Sequence, residues 1–346
     1  MSWRSNLRGF LFFCLMMGAT VAFAVSSVTP EEHQRPPDQT YLTFPEWFLV
    51  YSPAEYAAFV KDRPPSNFPF FGHIQQFWQA YGAVYNTIKD KYAFNTGYHV
   101  MAMVIGTSTT VEYALRSAYE TLFGRLAELT RQHGMTEEDI YAAKIAQDYV
   151  DFIRISPWYE YDFTEKLEKL WTETSLWGDD PARKWERKYA LTSEYGVKAL
   201  YGWAIKKATK ASYDAPRLVT TMLVDRLPQE DKKQLQDLHV LERFPDQSAL
   251  ITVPRYDAFK DYAATLAMQD VGFIEIAGNR SEIVTSVLVP TQWEPSNKAY
   301  TILFIQPILT QPGTKRVVFS TSVKDLSAAL RALHKPELQL EHVYDY

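Results

Sequence analysis

The chain has 346 residues, 47% of them hydrophobic and 22% charged, a composition that excludes an intrinsically disordered protein. Its formal net charge of −5 argues against a nucleic-acid-binding protein, which usually carries a basic patch or stripe. Aromatic residues make up 15% of the chain, which suits a large core or a surface that meets lipid headgroups, a glycan or a protein partner.

The first 25 residues predict a signal peptide or an N-terminal membrane anchor. Arg4 and Arg8 precede an uncharged, mostly apolar stretch over residues 9–25. The small residues Ala22 and Ala24 favour cleavage after Ala24, whereas the length of the stretch is also barely sufficient for a retained anchor. We therefore predict an exported protein that is either periplasmic or anchored in the inner membrane. Cys14 is the only cysteine, so a cleaved chain would have no disulfide or thiolate chemistry.

Changes of pattern along the chain predict its division into segments. These are the signal peptide or anchor (1–25), a polar linker (26–40), a helical domain (41–225), a charged linker (226–247) and an α+β domain (248–346). Within the helical domain, Ser52 is predicted to cap a helix that begins at Pro53. Aromatic spacing predicts a helix over residues 73–92. Thr136 is predicted to cap another helix, which ends near Arg154.

Residues 97–126 predict one long helix. Residues 100–105 are apolar on all sides, so we expect them to be buried. Further along, a predicted apolar stripe lies opposite a charged, solvent-facing stripe. The apolar stripe consists of Val111, Leu115, Ala118, Leu122 and Leu126, and the charged stripe of Glu112, Arg116 and Glu120. The alternative is a second membrane span at about 98–115, followed by arginines that fit a cytoplasmic flank.

Residues 194–211 predict a basic amphipathic helix. Leu200, Trp203 and Ala204 lie opposite Lys198 and other lysines. The interpretation that we favour is a solvated helix with one face in the core. The alternative is a helix that lies on an anionic membrane surface.

After residue 247 the hydrophobic period changes to one that favours strands. Strands are predicted at 248–255, 272–279, 282–290, 300–309, 315–323 and 337–346, with helices at 256–270 and 322–334. The resulting order, βαββ followed by ββαβ, resembles a ferredoxin-like sandwich. The predicted fold class is therefore α+β, with a mainly helical, aromatic-rich N-terminal domain followed by a ferredoxin-like antiparallel sheet domain.

The chain has none of the short motifs of serine hydrolases, zinc proteases, nucleotide-binding loops or thiol redox proteins. Weaker groupings supply the candidates. The catalytic candidates are Asp148, Asp151 and Glu160, and the ligand-binding candidates are Trp158, Tyr159, Tyr161, His99 and Glu112. Carboxylates beside aromatic rings are what a glycan-cleaving site needs. The usual role of such acids is a solvated ion pair, as Asp151 with Arg154 or Glu112 with Arg116 would form.

His99, with Met103 one turn later and His73 upstream, is a combination that haem or copper sites use. No haem-attachment motif accompanies these residues, so we predict a core histidine, no metal and no cofactor.

The leading functional hypothesis is an exported, membrane-associated protein that binds a protein partner or a small molecule. The membrane is then a partner through the N-terminal segment, and nucleic acid is not. The alternative hypothesis is a cell-envelope hydrolase that uses carboxylates on a glycan-like substrate. Whether the protein is an enzyme is left open by the residues.

Overall fold

The structure, a computed structural model, describes residues 27–212, 218–228, 235–295 and 300–345. The predicted leader (1–25) and its cleavage after Ala24 lie outside these residues. Helices dominate the first part of the described chain. They are α1 (Gln39–Phe59), α2 (Phe70–Ile88), α3 (Thr96–Tyr119), a π-helical turn (Glu120–Gly124), α4 (Arg125–Leu129), α5 (Glu137–Ile153), α6 (Phe163–Glu173) and α7 (Pro181–Ser212).

Local sequence signals set several helix boundaries. Thr136 caps α5 through a capping box with Asp139, as predicted, and α2 agrees with the predicted aromatic-faced helix. The prediction that a helix begins at Pro53 is wrong, because α1 runs through Pro53 without a break and Ser52 is buried in its middle. Tertiary packing of the aromatic faces of α1 outweighs the backbone hydrogen bond that a proline removes.

From residue 218 onward, the described residues form eight strands and two further helices. The strands are β1 (Val219–Val224), β2 (His239–Arg243), β3 (Ala249–Pro254), β4 (Phe273–Ile276), β5 (Glu282–Pro290), β6 (Thr301–Pro307), β7 (Thr314–Ser322) and β8 (Gln339–Tyr344), and the helices are α8 (Asp257–Met268) and α9 (Val323–Leu333). All strand pairs are antiparallel, in two sheets of order β2-β3-β1-β4 and β6-β7-β5-β8. The α+β class is therefore confirmed.

The two sheets are copies of one topological unit. Each unit has three strands, a helix and a fourth strand, and its strand order is second-third-first-fourth. The ferredoxin-like topology is not confirmed, since the strands form two sheets. β1 and β2 were also missed, because they fall in segments that the sequence assigned to a helix and to a linker. β2 is exposed along its whole length, so its residues carry no buried apolar pattern.

The two units interlock around one core. α9 of the second unit packs against β4 of the first, and α8 of the first packs against β8 of the second. Phe259, Leu266 and Leu326 are all fully buried where these helices meet both sheets. Because each helix also packs against the other unit's sheet, the two sheets share one large core, beside a smaller cluster around Val317 and Phe319 that belongs to the second sheet alone.

Helix α1 joins the helical part to the second sheet. Its aromatic side chains, among them Tyr41 and Phe44, share a core with Val318 and Tyr344. Thr40 donates a hydrogen bond of 2.6 Å to the carbonyl oxygen of Tyr344 and accepts one of 2.9 Å from the amide of Val284. The helices are therefore held against the second sheet by both packing and hydrogen bonds.

Candidate interaction surface

Helices α3 and α7 lie antiparallel and are joined by ion pairs along their length. The pairs are, in order, Glu112 with Lys198 (3.3 Å), Arg116 with Glu194 (3.4 Å) and Glu120 with Arg187 (2.9 Å). Numbers that rise on one helix fall on the other, which fixes the antiparallel direction. Burial alone would raise the pKa of Glu194, but the neighbouring Arg116 and Lys198 lower it to about 2.

The first turns of α7 direct basic side chains into the protein interior. Arg183, Lys184, Arg187 and Lys188 are each 3% exposed or less. Arg183 lies 2.7 Å from Asp139 on α5, while Lys184 and Lys188 each lie 3.2 Å from the fully buried Glu138. Charged side chains are almost never buried unless they are paired. The acids of α5 and the π-helical turn therefore fix how α7 packs.

The exposed side of α3 and α4 is apolar, which corrects the prediction for this helix. Val100, Met103 and Val104 are 45–56% exposed rather than buried, and Leu115 is 67% exposed. The predicted solvent-facing residues lie on the inner side instead, since Glu120 is buried against Arg187. The predicted apolar and charged stripes both exist, but their environments are exchanged.

The exposed side of α7 is apolar in the same way. Leu200 and Trp203, which the favoured interpretation placed in the core, are 67% and 56% exposed. The helix does have one face in the core, but that face consists of Leu191, Tyr195 and Ala199, so the placement of Leu200 and Trp203 in it is wrong.

The two exposed sides adjoin one another. The ring of Tyr119 lies 5.5 Å from that of Phe123 and 6.2 Å from that of Tyr189 across the helix pair. We name the combined surface the apolar face. It consists of Val100, Met103, Val104, Val111, Leu115, Leu122, Phe123, Leu126 and Leu129 on α3, the π-helical turn and α4, and of Trp185, Tyr189, Val197, Leu200, Tyr201 and Trp203 on α7, all 39–82% exposed. At 1.5 Å per residue it is about 45 Å long.

Acidic residues are missing from the exposed positions of this surface. From Thr96 to Leu129, and from Pro181 to Lys207, every residue classed as exposed is uncharged except Arg125 and Lys207. Glu112 is half-exposed at the edge and is paired with Lys198. In a chain with 41 acidic residues, this distribution sets the apolar face apart from an ordinary solvated surface.

The alternative of a second membrane span at about 98–115 requires a helix that is both long and apolar. Over the described ranges, no helix is both long enough and apolar enough to cross a membrane. This covers the segment at 98–115.

The three predicted catalytic acids are engaged with three different partners on the surface. Asp148 accepts a 2.6 Å hydrogen bond from Tyr161, Asp151 pairs with Arg154 at 3.2 Å, and Glu160 pairs with Lys206. Burial acts to raise the pKa of Asp148, but its hydrogen bonds from Tyr161 and Lys166 lower it overall. A general acid needs the opposite shift.

The predicted ligand-binding residues Trp158, Tyr159 and Tyr161 lie near one another but in different environments. Tyr161 is buried in an aromatic cluster with Phe163, whereas Trp158 is half-buried and stacks on Tyr201 at 5.3 Å. Tyr159 is also half-buried, with its ring 6.1 Å from that of Trp158. These rings therefore lie beside α7, next to Tyr201 of the apolar face.

The structure does not bring His99, Met103 and His73 together as a haem or copper site would require. Its Nδ1 is 2.9 Å from the hydroxyl of Tyr81, and its ring stacks on Phe94 at 4.3 Å. Met103 faces outward, and His73 is buried against α1. Among the residues that the structure describes, no three His, Cys, Asp or Glu side chains are grouped as a metal site.

Sequence reasoning missed a buried polar chain around Ser52. Its Oγ lies 3.0 Å from His73 Nδ1 and 2.6 Å from the hydroxyl of Tyr113, and His73 Nε2 lies 3.6 Å from Glu55. The order serine–histidine–carboxylate matches that of a nucleophilic triad. However, Ser52 and His73 are each 1% exposed, so a substrate has no access to the serine. Burial, with a further effect of Arg316, lowers the pKa of His73 to about 3, which makes it a weak base at neutral pH.

The low pKa of His73 leads us to expect that the protein loses stability in mild acid. Its pKa in the folded state is about 3, below the value of about 6.5 in the unfolded state, so the unfolded chain binds the proton first as the pH falls. We expect the free energy of unfolding to fall by about 2 kcal/mol between pH 7 and pH 5 from this residue alone. Urea unfolding at the two pH values measures the loss, and His73→Gln should remove that part of it. An unchanged pH dependence in the variant would contradict the assignment.

Comparison of the chain with protein-family models, with curated proteins and with solved structures gives no match.

Proposed function

We propose that the protein is a membrane-associated binding module whose apolar face lies on the surface of a lipid bilayer. The observation that carries the proposal is that α3 and α7 turn their charged sides inward and their apolar sides outward. In water such a face is unfavourable, because each exposed apolar side chain keeps its hydration cost. Contact with the acyl-chain boundary of a bilayer removes that cost.

The composition of the apolar face supports a bilayer as its occupant. Trp185, Tyr189, Tyr201 and Trp203 are the amphipathic ring types that are enriched at membrane interfaces. The helices of the face do not qualify as spans, so the arrangement that fits them is one in the plane of the interface. The charged side of this helix pair packs against the rest of the protein, so the side that faces outward can be apolar along its whole length.

The proposal extends the sequence-based hypothesis of an exported protein that is periplasmic or anchored in the inner membrane. The predicted leader at 1–25 would supply one attachment, and the apolar face a second. Two attachments hold a protein at a membrane far more firmly than one. We propose that the helical domain makes the membrane contact and that the C-terminal domain binds the partner or small ligand. The alternative of a carboxylate-dependent hydrolase gains no support from the surface ion pairs of its three acids.

A site-specific fluorescent label tests the proposal. Cys14→Ser removes the single cysteine, and Leu115→Cys then places a nitrobenzoxadiazole label on the apolar face of the full chain. With lipid vesicles we expect the emission to shift to the blue and to resist an aqueous quencher, because the label enters the lipid. The unlabelled face residues are unchanged in this variant.

The matched control is Leu241→Cys in the same background. Leu241 is 53% exposed, comparable with the 67% of Leu115, but lies on strand β2 outside the apolar face. It should show no shift with vesicles. Equal responses at the two positions, or none at Leu115, would count against the proposal.

A further inference from the structure

We infer that the membrane recognised by the apolar face is anionic, and that Arg125 and Lys207 provide the selectivity. This inference rests on the proposed function, since it names the class of lipid at the same surface. It follows from the charges that the face exposes and from where the helices place them.

The exposed charges on the apolar face are all positive. Arg125 and Lys207 are the charged residues among the exposed positions of α3, α4 and α7 up to residue 207. Arg125 has no acidic side chain within ion-pair distance in the described part of the chain. The ammonium group of Lys207 lies 4.2 Å from the ring centre of Trp203, itself a member of the face. Within the described residues, neither cation is therefore neutralised by a carboxylate.

The two cations lie near opposite ends of the face. Arg183 pairs with Glu128, so Arg125 is close to the beginning of α7, whereas Lys207 is 24 residues after Arg183 on the same helix. At 1.5 Å per residue this separates them by roughly 35 Å along the helix pair. Cations at both ends of an apolar surface can contact headgroups together when the pair lies in the plane of the bilayer.

Elsewhere the same two helices neutralise their basic residues. Arg183, Lys184, Arg187 and Lys188 are all paired with acids in the interior. The complementary partner for the two cations that remain outside is a surface with fixed negative charge. An anionic bilayer supplies this charge and the apolar phase in one structure, whereas a neutral bilayer supplies the apolar phase alone.

The test compares vesicles of phosphatidylcholine with vesicles in which part of the lipid is phosphatidylglycerol. The labelled Leu115→Cys chain reports the lipid concentration that gives half of its emission change. Each cation near an anionic surface contributes about a fivefold preference, so we expect the anionic vesicles to require about 30-fold less lipid. The preference should weaken at high salt, because the charges are screened.

The variant Arg125→Ala/Lys207→Ala should lower this ratio about 30-fold relative to the parent while the emission change on neutral vesicles persists. The matched control is Lys61→Ala/Lys89→Ala, which removes two exposed lysines outside the face and should keep the ratio. Arg4 and Arg8 are present in every variant, so their effect cancels in the comparison. Equal ratios in the double variant and the parent would overturn the inference but leave the proposed function intact.

The other outcomes show whether the proposed function fails together with the inference. If the label responds to neither kind of vesicle, the proposed function fails together with the inference. If its emission shifts to the blue with protein concentration in the absence of lipid, a second copy of the chain covers the face, and both are overturned.

Discussion

Replacing Arg183 by methionine is expected to lower the free energy of unfolding by about 3–5 kcal/mol, as removal of one partner from a buried ion pair does. The guanidinium group is 1% exposed and lies 2.7 Å from Asp139 and 3.1 Å from Glu186. In the variant Asp139 loses its buried cation while Glu186 keeps Arg187, and methionine offers no hydrogen bond in place of the guanidinium. Equilibrium urea unfolding measures the change.

The matched control is Arg226→Met, which breaks an exposed pair with Asp225 at 3.2 Å. Surface pairs contribute about 0–1 kcal/mol, so its cost should be small. A second variant, Arg183→Met/Asp139→Asn, removes a charge from each side and should recover part of the loss. If Arg183→Met were no more harmful than Arg226→Met, the ion pairs would not hold α7 in place.

Phe259→Ala is expected to cost about 3–5 kcal/mol, because it leaves a cavity in a core that cannot collapse fully. Phe259 is 0% exposed and lies on α8 in the core that the two repeated units share. A loss at this position therefore destabilises both sheets together, and unfolding should remain a single transition. Thermal or urea unfolding followed by circular dichroism reports both the size and the cooperativity.

Phe123→Ala removes the same side chain from the apolar face. Phe123 is 57% exposed, so its truncation should change stability by less than about 0.5 kcal/mol. The contrast separates an aromatic ring that supports the fold from one that serves a surface. A large loss of stability at Phe123 would mean that the apolar face belongs to the core of a larger assembly.

Much of the fold follows from local patterns in the sequence. Thr136 and Asp139 predict the start of α5, and the alternating pattern after residue 280 predicts the strands β5 to β8, though not that they form a separate sheet. β1 and β2 were not predicted, since β1 continues a helical segment in the pattern and β2 is wholly exposed. The exchange of α8 and α9 between the two units is a long-range arrangement, so no local pattern encodes it.

The apolar face shows what the pattern of a single helix leaves undecided. Leu115 and Glu120 belong to the two stripes that the periodicity identifies, but periodicity does not say which stripe faces inward. The rule that apolar residues lie inside holds in one direction, because much of any protein surface is also apolar. One signal in the sequence bears on the choice: the three acids at 137–139 are opposite in charge to the four bases between 183 and 188.

By itself, the sequence determined that residues 41–212 are mainly helical, that α5 begins after Thr136, and that the second half of the helix over 97–126 has one apolar and one charged side. These properties depend on neighbouring residues a few positions apart. The tertiary structure alone decided that the charged side of α3 is buried and the apolar side is outside. The acids and bases that pair there, such as Glu120 with Arg187, are 67 residues apart and meet once α7 has folded back along α3. Burying those charges is tolerated when each of them is paired, and that condition is met only in the assembled fold.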